Sequence, residues 1–469
     1  MQSPPWHRTK IVCTLGPATD GPDVMARIIA AGMDVARVNM SHGTHEEHAR
    51  RIALVRETAR QARHPVAVLA DLPGPKFRLS VLEGGARTLQ EGMTVALSAG
   101  ADDATALPVR NRELLAALRP GETVYLADGS VELRVIRIQA DRVECKVVIG
   151  GTVRSGSGIN VPEADLGGLV PTEADRGHLA FALGQGVEWI GVSFVQSADD
   201  LARVRACFPA GQSALLMSKI EKRRALLELD AIVAASDGVM VARGDLGVET
   251  DLAEIPLVQK RIIAAANALG RPVVTATQML ESMIGHEHPT RAEVTDVANA
   301  VIDGTDAVML SGETAVGRYP VAAVQILNRV LNATEAEYAG RAASERLQAS
   351  ARKEGDALGY VACQLAARIG AGAIVASVDD VATAAALPRF RPPAPSGLAA
   401  DSERLACALA PVRGVAALHV DGPRDAAGCV AAASEWLRAS GAAGAGSQAV
   451  LLLQSPGAAV PDTVQVVRL

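Results

Sequence analysis

Eight short apolar runs, rich in β-branched residues and separated by helical or loop segments, constrain this chain more than any other feature. They read KIVCTL, MDVARVN, PVAVLAD, VEWIGVSF, ALLMSKI, DGVMVAR, PVVTAT and DAVMLS. Intervening segments such as PDVMARIIAAG and PLVQKRIIAAANALG carry apolar residues at i, i+3 and i+4. Near-continuous apolar strands alternating with amphipathic helices predict a parallel sheet. Eight such units predict an α/β chain built on a closed (β/α)₈ TIM barrel, with its chemistry at the C-terminal ends of the strands.

The alternation is interrupted between the third and fourth runs. There MTVALSAG and ETVYLADGSVELRVIRIQADRVECKVVIGGTV alternate with period two and break at ADG, QAD and GG, which predicts an inserted all-β lid. Because it springs from a strand exit, a cap over the barrel mouth is expected. Beyond a long helix, the strands AGAIVASV, GVAALHV and SQAVLLLQ predict a C-terminal α/β domain. The expected division is 1–74 and 167–340 for the barrel, 75–166 for the lid and 350–469 for the C-terminal domain.

Composition narrows the function. A net charge of −6 with 3% aromatics disfavours a nucleic-acid surface, which needs a basic stripe or stacking rings. No apolar stretch approaches the roughly 20 residues of a membrane helix. The start of the chain lacks the apolar core of a signal peptide, so a cytoplasmic location is expected. Six scattered cysteines without a C-x-x-C pair disfavour zinc and disulfides.

The strand exits carry the chemistry. Lys219 and Glu221 lie two apart in SKIE, on one face, and Asp245 follows at the next strand end. Two carboxylates can hold Mg²⁺ while leaving positions for substrate oxygens, and a lysine beside them suits a transferring phosphoryl group. A salt-bridge network at the rim is the competing reading. Arg37, Arg78 and Arg243 add cations that point to an anionic ligand. Thr277 and Ser311 add hydroxyls, and His42 follows the second strand. The third exit, DLPGPKFRLS, places Lys76 close to Asp71.

The stretches TKIVCTLGPAT, MDVARVNMSHGTHEEH, SKIEKRRAL, DGVMVARGDLGVE, ATQMLESM and PTRAEVTDVANAVIDGTDAVMLSGETAVGRYP resemble pyruvate kinases in order and spacing, from residue 9 to about 338. The resemblance implies phosphoryl transfer from phosphoenolpyruvate to ADP, giving pyruvate and ATP, in a homotetramer. Lys219 would stabilise the moving phosphoryl group, Arg37 would contact it, and Arg78 would line the same pocket. Glu221 and Asp245 would bind Mg²⁺, with Mn²⁺ as a substitute. Asn39, His42, Gly244 and Asp245 would contact substrate or nucleotide. Thr277 would lie near the methylene carbon that is protonated, with Ser311 in a water relay, and Asp165 is similar to a lid aspartate. A non-catalytic phosphoenolpyruvate sensor and a Mg²⁺-dependent carbon–carbon lyase are rival readings, disfavoured by the full constellation and by the SKIE lysine.

Two departures stand out. The better-known family motif reads Asp-Thr-Lys-Gly-Pro-Glu-Ile-Arg, whereas this chain has DLPGPKFR. In that form Asn39, Ser41, Asp71 and the carbonyl of Leu72 would cradle a potassium ion. Lys76, in place of the glutamate, would supply that charge itself and repel a free cation, so no potassium requirement is expected. In the C-terminal domain, Asp379 and Asp380 stand where the resemblance implies a sugar-phosphate effector loop. Two carboxylates there would repel phosphate, so fructose 1,6-bisphosphate is not expected to activate through that loop.

Overall fold

The eight apolar runs form eight parallel strands: Lys10–Thr14, Val35–Asn39, Ala67–Asp71, Trp189–Val192, Leu215–Ile220, Gly238–Ala242, Val273–Ala276 and Ala307–Leu310. The eighth pairs with the first, Ala307 opposite Lys10, and the sheet closes. The computed structural model describes residues 7–99, 106–139, 142–164, 167–338, 354–379, 381–384, 387–420, 425–440, 446–455 and 461–468. Every residue of the first, third and sixth strands is buried, because helices cover one face and the barrel interior the other.

Local chemistry sets the helix limits. Thr44, Thr172 and Thr290 each accept a hydrogen bond from the backbone N–H three residues on. The acids at those positions, Glu47, Asp175 and Glu293, reach back to the cap N–H. Gly32 ends the first long helix with φ of 118°, a left-handed conformation that glycine adopts without a Cβ clash.

Among its described residues the insertion is built of strands, with one short helix at Arg112–Ala117. Its main sheet has seven strands and runs from Phe77–Arg78, directly after the third barrel exit, to Leu107–Pro108. A separate core of Leu97, Leu107, Val124, Leu133 and Val143 stabilises it.

The C-terminal sheet has five strands. Ala373–Ser377, Val415–His419 and Gln448–Leu453 match the predicted runs, whereas Ser396–Ala400 and Thr463–Arg468 were not expected. SGLAA has no β-branched residue, and its strand character comes from central pairing with both Ala373–Ser377 and Val415–His419. TVQVVR is a largely exposed antiparallel edge strand. Trp189, fully buried at the lower end of the fourth barrel strand, donates its indole N–H to the Ala408 carbonyl at 3.0 Å. The barrel floor therefore rests on the C-terminal domain, and the lid springs from the other end.

Candidate active site

At the barrel mouth, consecutive strand exits bring six polar side chains together. Lys219, on the fifth strand and buried, donates to Ser193 Oγ (2.6 Å) and pairs with Glu221 Oε1 (2.8 Å). Asp71 Oδ1 lies 3.1 Å from the same ammonium, an ion pair rather than an aligned hydrogen bond. Asp71 Oδ2 accepts from Arg37 Nε (2.8 Å), and Arg37 Nη1 donates to Thr14 Oγ1 (3.0 Å). Burial alone would disfavour the charge on Lys219, but the Asp71 and Glu221 carboxylates outweigh it and hold the ammonium above its ordinary pKa. Burial likewise opposes ionisation of Asp71, yet Lys219 and Arg37 bring its pKa below the usual value.

Glu221 behaves differently. Burial raises its pKa, Asp245 raises it further, and Lys219 compensates only in part. Its Oε2 accepts from the Phe194 N–H at 2.8 Å, which is aimed there because Phe194 sits at φ 59° as the fourth strand exits. Asp245, half-buried, lies in the first turn of Arg243–Glu249. Among the described residues no cluster of three or more metal-type side chains occurs. Two neighbouring carboxylates, one buried and resisting ionisation, fit a hard divalent cation that takes its remaining oxygens from substrate and water.

The seventh and eighth exits form the adjoining wall. Thr277 and Gln278 adopt φ of 65° and 55°, and a β-branched residue rarely occupies that region without support. Arg243 supplies it. Its buried guanidinium donates to the Thr277 carbonyl (2.5 Å) and pairs with Asp296 (2.6 Å). Arg243 was expected to face an anion; the structure shows it holding the Thr277 turn instead. Thr277 Oγ1 accepts from the Gly244 N–H (2.9 Å) and donates to the Ala276 carbonyl (2.7 Å). Glu313 clamps both exits, accepting from Leu280 N (3.1 Å) and Ser311 N (2.7 Å). The Ser311 hydroxyl is buried and has no protein partner.

The third exit is organised around Lys76. Its ammonium donates to Ser41 Oγ at 3.3 Å, and Ser41 N donates to Asn39 Oδ1 at 3.1 Å. The Leu72 carbonyl accepts from Ser193 Oγ at 2.7 Å, which links this region to Lys219. Gly74, at φ 66°, makes the turn possible, since a Cβ there would stand 2.7 Å from the Phe194 ring.

Other expected residues lie further out. Arg78 is exposed on the first lid strand and donates to the Gly156 carbonyl at 2.9 Å, a lid partner outside the Lys219 cluster. His42 is exposed in the turn after the second strand. Asp165 and Asp380 lie outside the described residues. Ser193 stands in the fourth run, VEWIGVSF, only as a polar residue at a strand end, and the sequence gives no motif for the contact of lid residue Asn160 with Glu249 at 3.1 Å, which Lys222 shares at 2.5 Å. The only sequence signal for the latter was the position of Lys222 beside Glu221.

Comparisons with known proteins point to one family. A family model described as pyruvate kinase, barrel domain, matches residues 6–324. Pyruvate kinase of Thermococcus litoralis is 44% identical over 348 residues, covering 74% of this chain and 73% of the relative. That of Geobacillus stearothermophilus is 40% identical over 418 residues, covering 87% and 71%. The crystal structure of a pyruvate kinase from Cryptosporidium parvum superposes with a TM-score of 0.93 at 31% identity, covering 98% of this chain and 96% of that one. With a closed eight-stranded barrel, a strand-built insertion and a lysine–carboxylate cluster at the mouth, this chain belongs to the pyruvate kinase family.

Proposed function

We propose that the barrel mouth transfers the phosphoryl group of phosphoenolpyruvate to ADP with Mg²⁺ and without a potassium requirement. The observation that carries this reading is the buried Lys219 ammonium, kept charged by Asp71 and Glu221 beside the Arg37 guanidinium. In the transfer, the bond from phosphorus to the enol oxygen breaks as a terminal ADP oxygen bonds to phosphorus. The enolate left behind takes a proton at its methylene carbon. Lys219 and Arg37 neutralise charge on the moving group without having to reorganise, because their carboxylate and hydroxyl partners already fix them.

Glu221 and Asp245 would hold the magnesium ion, which when bound supplies further neutralisation of phosphate charge. The Thr277 hydroxyl, held by Gly244 and Ala276, orients the proton-accepting face, and the unpartnered Ser311 hydroxyl is available to a water relay. Arg78 and Asn39 act as substrate contacts, with Arg78 brought in by the lid, whose closure excludes water. His42 and Gly244 contribute on the nucleotide side. The same reading holds the enzyme to be a cytoplasmic homotetramer with no activation by fructose 1,6-bisphosphate at the Asp379 loop; among the described residues no helix is long and apolar enough to cross a membrane. A coupled assay for pyruvate, varying phosphoenolpyruvate and ADP with and without Mg²⁺, tests it; no pyruvate under any condition overturns it.

Potassium independence rests on Lys76, whose ammonium donates to Ser41 Oγ. Rates in tetramethylammonium buffer are expected to change little on adding potassium. A stimulation of about tenfold or more, worth ~1.4 kcal/mol, contradicts the idea.

Ser193 is a positioning residue in this reading, because its hydroxyl joins Lys219 to the Leu72 carbonyl. Ser193→Ala is expected to lower kcat about tenfold, the equivalent of one buried hydrogen bond to a charged group, with KM nearly unchanged. Ser193→Thr should recover most of the loss. Equal losses in both variants would instead indicate a packing role.

A further inference from the structure

The barrel floor, opposite the mouth, holds a second concentration of charge. A cleft between the barrel and the C-terminal domain is lined by Asn267, Arg271, Asp306, Arg389 and Arg391, among others. Arg413 and Arg8 adjoin it, so among the described residues the guanidiniums of Arg8, Arg271, Arg391 and Arg413 meet two carboxylates, Asp306 and Glu335. Arg391, 7% exposed, donates to Asn267 Oδ1 (2.7 Å) and the Gly304 carbonyl (2.6 Å), and lies 3.2 Å from Asp306. Its Nε is buried with no protein acceptor, as are the Nε groups of Arg271 and Arg413. Burial, and then the neighbouring Arg391 charge, push Arg413 down to about 10. Glu335 cannot balance both sides, since it already accepts from the backbone N–H groups of Arg8 (3.0 Å) and Thr9 (2.7 Å) and stands 3.5 Å from Arg413.

Buried guanidinium donors in excess of carboxylates are the chemistry that recognises a tetrahedral oxyanion. Five of the nine residues lining the cleft are polar or charged, unlike the mostly apolar walls of a pocket for a drug-sized ligand or cofactor. That lining favours a phosphate group over an apolar ligand. Its Arg271 and Asp306 immediately precede the seventh and eighth strands, so it is separated from the mouth by the length of the barrel.

We propose that this floor cleft binds a phosphate group, as inorganic phosphate or as the head of a small phosphate ester, bridging the barrel and the C-terminal domain through Arg271, Arg391 and Arg413. The site is independent of the catalytic reading. Equilibrium dialysis of the full chain against radiolabelled inorganic phosphate at constant ionic strength tests it. A saturable site is expected that Arg37→Met, at the mouth, leaves intact and that Arg271→Gln or Arg391→Met weakens about tenfold or more. Arg271 is only half-buried and lies outside the catalytic machinery, so R271Q should keep wild-type kcat and remains informative if R391M does not fold. Competition by glycerol 2-phosphate would assign the site to an ester, and its failure to compete would assign it to free phosphate. Binding abolished by R37M, or unchanged in R271Q, overturns the proposal.

Discussion

Lys219→Met is expected to lower kcat by about a hundredfold to a thousandfold, the range seen when one preorganised donor to developing charge is removed. The ammonium is held by three groups on three strand exits, Ser193 Oγ, Glu221 Oε1 and Asp71 Oδ1, at 2.6, 2.8 and 3.1 Å. A guanidinium has neither the compact charge nor the shape for that position, so Lys219→Arg should rescue little. Removing one partner of a buried ion pair also destabilises, by up to ~3–5 kcal/mol where the other charge is stranded. Asp71 retains Arg37, at 2.8 Å, and the full penalty falls on Glu221 alone. Rates should therefore be read well below the melting transition, with folding checked by circular dichroism. A folded K219M enzyme with kcat within about tenfold of wild type contradicts the assigned role.

Lys76→Glu is expected to convert the enzyme to a potassium-requiring one. The substitution changes the local charge by two beside Ser41 and Asn39, and it removes the donor that reaches Ser41 Oγ at 3.3 Å. Lys76 is exposed, so its interaction with this region falls between the ~1 kcal/mol of a pair in water and the ~4 kcal/mol of a protein surface. Activity in tetramethylammonium buffer should then fall about tenfold to several hundredfold, and potassium should restore it. Lys76→Met should show the loss without the recovery, because it adds no carboxylate to attract the ion. If K76E works equally well with and without potassium, Lys76 does not stand in for the cation.

Arg243 and Ser193 show how far one-dimensional reading reached. Both were visible as polar residues at strand exits. Whether such a residue faces ligand or scaffold depends on what the neighbouring exits present. Arg243 meets the Thr277 carbonyl and Asp296, and its charge is used in holding a left-handed turn. Ser193 meets Lys219 on one side and the Leu72 carbonyl on the other. No motif around either residue distinguishes these outcomes.

The barrel was legible because burial on both faces requires unbroken apolar strands, and the sequence shows eight of them at regular intervals. The same holds for the helix limits, where threonine caps and glycine stops act within a few residues. The Lys219–Glu221 pair was legible because side chains two apart share a face. Three things were decided only by tertiary structure. The positive φ of Phe194 and Thr277 is imposed by distant partners, Glu221 and Arg243, rather than by local preference. The strand Ser396–Ala400 exists through pairing on both sides. The arginine cluster at the floor assembles residues from 8 to 413, and only the docking of the C-terminal domain on the barrel makes those charges neighbours. Local preference is written in windows of a few residues, whereas charge balance in a buried joint is a sum over groups far apart in the chain.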